Sequence, residues 1–279
     1  MRIGSLFSGI GGLELGLEWA GVGETVWQVE QDPYCLAVLA KHWPEAQRFT
    51  DVRDVGAHNL PPVDVICGGF PCQDISYAGK GAGLSGSRSG LWYEYARIVR
   101  EMGPRYVVVE NVAALLTRGL DAVLGTLADC GYDAEWSRIA AADVGAPHLR
   151  NRIFLLAHAN GERELQPQGS VTDIRGWLAN GSHSQALAHS ERLGREGRIQ
   201  QHRRETAKLV DSQRRDRFGY HYGPSWELEP DVGHLADGIA PGVVESPIRA
   251  LGNAVVPQVA EVVGRRLMQI DAERMSAAM

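Results

Sequence analysis

The feature that most constrains the fold is an alternation running through residues 1–157. Short β-branched or apolar runs (1–7, 25–30, 63–67, 105–112, 132–140 and 153–157) are interleaved with stretches whose apolar residues recur at helical spacing, such as Leu13, Leu17 and Ala20 or Val123, Leu124 and Leu127. Strand and helix signals in such succession predict a doubly wound, mostly parallel α/β sheet. In an open sheet of that kind, ligands bind outside the carboxyl ends of the strands. What stands at those ends is therefore the functional question.

After Val63-Asp64-Val65-Ile66-Cys67 the chain breaks into Gly68-Gly69-Phe70-Pro71-Cys72-Gln73-Asp74-Ile75-Ser76. Paired glycines turn tightly, Pro71 fixes φ just before Cys72, and the thiol is expected on a loop leaving the strand. A reactive thiol and an ordinary exposed one are both compatible with this stretch alone. A glycine-rich stretch, residues 77–90, follows and has the length of a covering loop or of a flexible connection.

Other strand ends carry polar groups. After the first strand, Ser8-Gly9-Ile10-Gly11-Gly12-Leu13 runs into a helix, a place where backbone amides approach a ligand, although neither a dinucleotide fingerprint nor a phosphate-binding Lys-Ser/Thr is present. Glu30 ends the second strand, where a carboxylate accepts ribose hydroxyls, and a further short element ends near Phe49-Thr50-Asp51, where Asp51 suits a purine amine. Helix capping is the structural alternative for either. Glu110 and Asn111 end the run 105–112 and are expected close to Cys72, with burial keeping the acid protonated. Arg150 and Arg152 precede the run 153–157; a strand's period of two points them the same way, toward a base and a phosphate or into cross-sheet salt bridges.

The 279-residue chain has a net charge of −6, but residues 159–219 carry 11 Lys+Arg against 8 Asp+Glu. That Arg/Gln/His-rich stretch interrupts the strand–helix rhythm and suits phosphate neutralisation and guanine reading, or simply a solvated basic loop. The rhythm returns at 248, with an Asn253-bearing loop and a helix opened by Pro257. Domains are thus expected at 1–157 and 158–247, with 248–279 returning to the first. Cys35, Cys67, Cys72 and Cys130 lack metal-site or disulfide spacing, no run is long and apolar enough for a membrane span, and no signal peptide is evident. A cytoplasmic protein without metal or membrane association is expected.

Five segments in order, Phe7-Ser8-Gly9-Ile10-Gly11-Gly12, Gly69-Phe70-Pro71-Cys72-Gln73, Glu110-Asn111-Val112, Arg150-Asn151-Arg152 and Gly252-Asn253-Ala254-Val255-Val256-Pro257, resemble the cytosine-5 DNA methyltransferase family, in the manner of its compact prophage or restriction-modification members. The resemblance implies a Rossmann-like methyltransferase domain with a small irregular target recognition domain. It implies transfer of a methyl group from S-adenosylmethionine, leaving S-adenosylhomocysteine, to carbon 5 of a flipped-out cytosine in a specific duplex sequence. Cys72 would be the nucleophile, with Glu110, Arg150 and Arg152 around the base. Phe7, Ser8, Gly9, Gly11, Gly12, Leu13, Glu30, Asp51, Pro71, Leu91, Asn253, Ala254 and Val255 would hold the cofactor.

DNA contacts are expected from Gln73, Ser76 and Arg88 and from Arg192, Arg195, Arg198, Arg203, Arg204, Arg214 and Arg215. The implied protein is a monomer of a bacterial cell or phage-infected host, with room for a cognate restriction endonuclease as partner. His148 departs from the family, which commonly has Gln there, and the segment before the Asn253 loop is hard to match between residues 231 and 249. The rival readings are an RNA methyltransferase of the same fold, a non-catalytic DNA-binding relative and a Rossmann oxidoreductase.

Overall fold

The structure, a computed structural model, describes residues 1–71, 90–160, 170–171 and 245–277. Its strands are β1 (Arg2–Leu6), β2 (Glu24–Val29), β3 (Gln47–Phe49), β4 (Val65–Gly68), β5 (Tyr106–Val112), β6 (Tyr132–Ala140), β7 (Asn151–Ala159) and the short β8 (Ser170–Val171). Its helices are α1 (Gly12–Trp19), α2 (Pro33–His42), α3 (Leu91–Met102), α4 (Leu115–Arg118), α5 (Leu120–Asp129), α6 (Glu245–Asn253) and α7 (Pro257–Ala277). The strands form one sheet in the order β3-β2-β1-β4-β5-β7-β6-β8. Neighbours from β3 through β5 pair in parallel, as expected of a doubly wound sheet.

The departure is β7, which lies antiparallel between β5 and β6. A near-continuous apolar run such as Ile153-Phe154-Leu155-Leu156-Ala157 reads alike in either direction. The signal was the connection: residues 141–150 hold only a 3-10 turn, Ala141–Val144, too short for a parallel crossover through a helix. β7 also runs to Ala159, past the boundary expected at 157.

The sheet buries both faces. On one, Trp27, Ile66, Val107 and Val109 pack with Trp92, Tyr95, Ile98 and Val99 of α3 and with Val123 and Leu127 of α5. Phe70, Trp92 and Tyr95 form a ring stack with centroids 5.2 and 5.5 Å apart. On the other face, Ile3, Val65, Cys67 and Val108 pack with Leu13 and Leu17 of α1 and with Val259, Ala260, Val263 and Leu267 of α7. The C-terminal helix is thus part of the core that covers this sheet face.

Polar clamps fix α7. The Arg266 guanidinium donates to both carboxylate oxygens of Glu135 on β6, at 2.7 and 2.9 Å. Asp271 accepts from the Tyr106 hydroxyl at 2.8 Å and pairs with Arg105. Ahead of α7, the segment expected to be a loop carrying Asn253 is helical as far as Asn253, leaving only residues 254–256 as connection. Pro247 stands in the first turn of α6, where its missing N–H costs nothing, and Arg249 is anchored on Asp32 at 2.7 Å.

The α1–α7 contact makes a sharp prediction. Propensity alone favours Ala over Gly inside a helix, yet a Cβ on Gly16 would lie 2.3 Å from the Pro257 carbonyl oxygen and 2.4 Å from the Ala260 Cβ. Gly16→Ala is expected to cost roughly 1–3 kcal/mol by forcing α7 outward. Gly125→Ala in α5, where a Cβ meets nothing within 4 Å, is expected to add roughly 0.5–1 kcal/mol. Urea denaturation of the two variants checks both signs.

Candidate active site

Two clusters of the expected residues gather at the carboxyl edge of the parallel strands. The first surrounds the turn that follows β1. Phe7, Gly9 and Gly11 all have positive φ, at 57°, 57° and 85°, and within this turn the Ser8 and Gly11 amides donate to the Val29 and Ser8 carbonyls. The Glu30 carboxylate, just past β2, accepts from the Gly9 amide at 2.7 Å and from the Gln31 and Asp32 amides at 2.8 Å each. Asp32 in turn caps α2, accepting from the Tyr34 amide at 2.9 Å.

The far wall of this cluster is the α6–α7 connection. A Cβ on Gly12 would stand 2.2 Å from the Val255 carbonyl oxygen, so only glycine lets the start of α1 and residue 255 meet. The structure therefore brings Ser8, Gly9, Gly11, Gly12, Glu30, Ala254 and Val255 together. Leu13 is close in sequence only: its side chain is buried against Leu17, Val65 and Val259. Asp51 sits beyond β3 as a cap, accepting from the Arg53 amide at 2.9 Å with an ion pair to the same residue at 3.4 Å. Leu91 opens α3, half-buried against the face that also takes Phe7.

The second cluster lies at the ends of β4, β5 and β7. Gly68 is paired with Val109, so Gly69 and Glu110 are side by side as their strands end. A Cβ on Gly69 would come 2.6 Å from Glu110 Oε2, so the missing side chain is what admits the carboxyl. Arg152 Nε lies 3.0 Å from Glu110 Oε1. Burial raises the Glu110 carboxyl to about 7, against the opposing pull of the Arg152 and Arg150 charges. At neutral pH the group is therefore divided between acid and carboxylate, able to donate or accept a hydrogen bond.

Arg150 does not share the direction of Arg152. It precedes β7 with φ at 28°, outside the strand geometry on which a period of two depends. Its guanidinium donates to the Gly252 carbonyl at 2.8 Å and to the Ala254 carbonyl. Arg150 thus ties the β6–β7 connection to the segment facing α1, linking the two clusters. Pro71 is half-buried at the edge of the described residues. Cys72, Gln73, Ser76 and Arg88 lie outside them, as do the arginines between 192 and 215.

Sequence reasoning passed over the bracing of the cysteine loop. Asn111, buried in β5, donates from Nδ2 to the Phe70 carbonyl at 3.2 Å and accepts the Val112 amide at 2.8 Å. The buried Tyr95 hydroxyl lies 3.3 Å from the Ile66 carbonyl of β4 and 3.1 Å from the Val108 carbonyl of β5. A carboxamide at the end of an apolar strand was the available signal for Asn111, because a buried amide needs partners; Tyr95 reads only as a core aromatic.

Residues 1–217 match the family model described as C-5 cytosine-specific DNA methylase. The chain is 35% identical over 165 residues to the Type II methyltransferase M2.BsuMI of Bacillus subtilis (strain 168), a match covering 56% of this chain and 42% of that one. It is 35% identical over 164 residues to the Type II methyltransferase M.HhaI of Haemophilus parahaemolyticus, covering 57% and 50%. The matched segment thus spans half or less of the length of these relatives. Among solved structures, the fold is similar to that of S. pombe Dnmt2 methyltransferase, with a TM-score of 0.58, 16% identity, and 96% and 98% of the two chains covered.

Glu110 gives this site a pH signature. Its pKa is higher folded than unfolded, so its neutral form favours the fold; that contribution is complete below the ordinary carboxyl range and lost as pH rises to about 7. Glu110→Gln removes the loss. The stability of Glu110→Gln relative to wild type is expected to rise by roughly 2–3 kcal/mol between about pH 5 and about pH 8 in urea denaturation.

Proposed function

Because the chain belongs to the family of C-5 cytosine-specific DNA methylases, we propose that it methylates carbon 5 of a cytosine in duplex DNA, with Cys72 as the nucleophile. The observation that carries this reading is the buried Glu110–Arg152 pair beside Gly69, three residues before Cys72. The other cysteines support it by contrast. Burial pushes the Cys35 thiol up to about 11, Cys67 well above its ordinary value and Cys130 upward. None of the three is a thiolate at neutral pH, and the thiolate is the nucleophile.

Carbon 5 of cytosine is too electron-poor to react unaided. Addition of the Cys72 thiolate at carbon 6 forms a carbon–sulfur bond and moves the ring's electron pair toward carbon 5. Glu110, near its pKa, donates a hydrogen bond to the ring as negative charge develops there, and Arg152 holds the carboxyl in place. Carbon 5 would use that electron pair to take the methyl group that S-adenosylmethionine supplies, the methyl–sulfur bond breaking; loss of the carbon-5 proton then re-forms the 5,6 double bond and expels the Cys72 thiolate. These contacts cannot be made inside a duplex, so the cytosine is turned out of the stack, and in this reading Gln73, Ser76 and Arg88 contact the DNA while the glycine-rich stretch 77–90 serves as a cover.

The residues of the first cluster fit S-adenosylmethionine, which would supply an electrophilic methyl group and be released as S-adenosylhomocysteine. Glu30 already accepts three amide protons, and a carboxylate has about four acceptor positions, which leaves room for a ribose hydroxyl. The turn after β1 and residues 253–255 would enclose the rest, with Asp51, Pro71 and Leu91 at its margins. In this reading residues 158–247 form a target recognition domain, and Arg192, Arg195, Arg198, Arg203, Arg204, Arg214 and Arg215 contact DNA. A bacterial cytoplasmic monomer of a restriction-modification or prophage system, with or without a partner nuclease, suits it. Among the described residues no helix is long and apolar enough to cross a membrane.

Incubation with tritiated S-adenosylmethionine tests the proposal, with mixed-sequence duplex DNA and with tRNA as substrates. Wild-type protein is expected to label DNA, and Cys72→Ala to lose on the order of a thousand-fold or more in rate while still binding S-adenosylhomocysteine. Labelled tRNA without labelled DNA would overturn the substrate, and a fully active Cys72→Ala the mechanism.

A further inference from the structure

A row of buried polar side chains lies beneath the turn after β1 and takes no part in the chemistry above. Register pairs Ser5 of β1 with Gln28 of β2 on one side and with Cys67 of β4 on the other, so the three share one face of the sheet. Glu14 of α1 lies above them. Ser5, Gln28, Cys67 and Glu14 are all fully buried. The Ser8 hydroxyl, in the turn itself, bonds the Ser5 hydroxyl at 2.9 Å. No well-formed hydrogen bond reaches either Glu14 oxygen or either amide atom of Gln28, but the Ser5 and Ser8 hydroxyls are near enough to Glu14 to act on its carboxyl.

Buried polar side chains without well-formed hydrogen bonds are an expensive arrangement, and for Glu14 the expense depends on protonation. A neutral carboxylic acid offers one donor and one acceptor, the complement of a carboxamide and of a hydroxyl. A carboxylate offers acceptors only, and its burial without a cation costs far more than that of the neutral acid. No cation is nearby among the described groups. The other titratable groups acting on Glu14 are Glu18 of α1 and Cys67 of β4, and α7 presents the apolar Val259, Ala260 and Val263.

We infer that Glu14 is a positioning residue for the cofactor turn: as a neutral acid it completes the Ser5–Ser8 hydroxyl chain that holds residues 8–11, and its ionisation loosens that turn. This rests on the reading of the turn as the cofactor's seat. Burial raises the Glu14 carboxyl to about 7, so the transition falls where a binding experiment can follow it. The sign is fixed: the neutral form is favoured in the fold, and its contribution is lost as pH rises through about 7.

The test compares wild type with Glu14→Gln, which keeps the shape and a neutral donor and acceptor. S-adenosylhomocysteine affinity is measured by calorimetry between about pH 6 and about pH 8.5, where wild type should weaken roughly tenfold or more and Glu14→Gln should stay flat. Difference infrared spectra of the same proteins, without ligand, should show at the acid end, besides the protonated-carboxyl band of Glu110 common to both, a second such stretch that Glu14→Gln lacks. Parallel pH profiles for the two proteins overturn the inference, as does an affinity that rises with pH or the absence of that stretch. Wild type that binds no S-adenosylhomocysteine at any pH overturns the cofactor reading instead, and the infrared result then still decides the protonation of Glu14.

Discussion

The close approach of α1 to the backbone at residues 255–260 joins the two ends of the chain, and the rest of the structure depends on it. Gly12 and Gly16 leave out the side chains that would strike the Val255 and Pro257 carbonyls. Through that contact α7 closes one face of the sheet, while the α6–α7 connection comes to face the turn after β1. Arg150 and Arg249 hold the same connection from outside, on the carbonyls of Gly252 and Ala254 and on Asp32. Packing and site geometry are here one constraint.

The second organising constraint is electrostatic. Two carboxyl groups, Glu110 and Glu14, are buried and raised to about 7, but their surroundings differ. Glu110 has Arg152 at 3.0 Å and stands two residues before the end of β5. Among the described residues no guanidinium acts on Glu14, which is fully buried in α1. One environment suits a group that meets developing charge, the other a group that stays neutral and holds its neighbours.

Much of this was legible beforehand. The helical spacing of Leu13 and Leu17 and the apolar runs around Ile66 and Val108 gave the elements, and the five ordered segments gave the family. The antiparallel β7 was missed because apolar runs carry no direction. Arg150 and Arg152 were expected to act together because strand periodicity was applied one residue too far; a positive φ at Arg150 breaks it. The segment carrying Asn253 reads as a loop, because Gly252 in a sequence does not reveal whether it stands in a turn or at a helix end, yet it is the last turn of α6. The polar row of Gln28, Ser5, Cys67 and Glu14 was invisible, since it exists only through strand register, which long-range pairing sets.

The central claim is that Cys72, three residues after the glycine that admits the Glu110 carboxyl, bonds covalently to a cytosine. Duplex DNA containing 5-fluorocytosine tests it most directly, because fluorine at carbon 5 blocks the final elimination and leaves the protein attached. After incubation with S-adenosylmethionine and proteolysis, mass spectrometry locates the bound nucleotide. The account predicts a single adduct on the peptide containing Cys72, formed only with the cofactor present. No adduct on a DNA of broad sequence, with cofactor binding demonstrated, or an adduct on another residue, would contradict it.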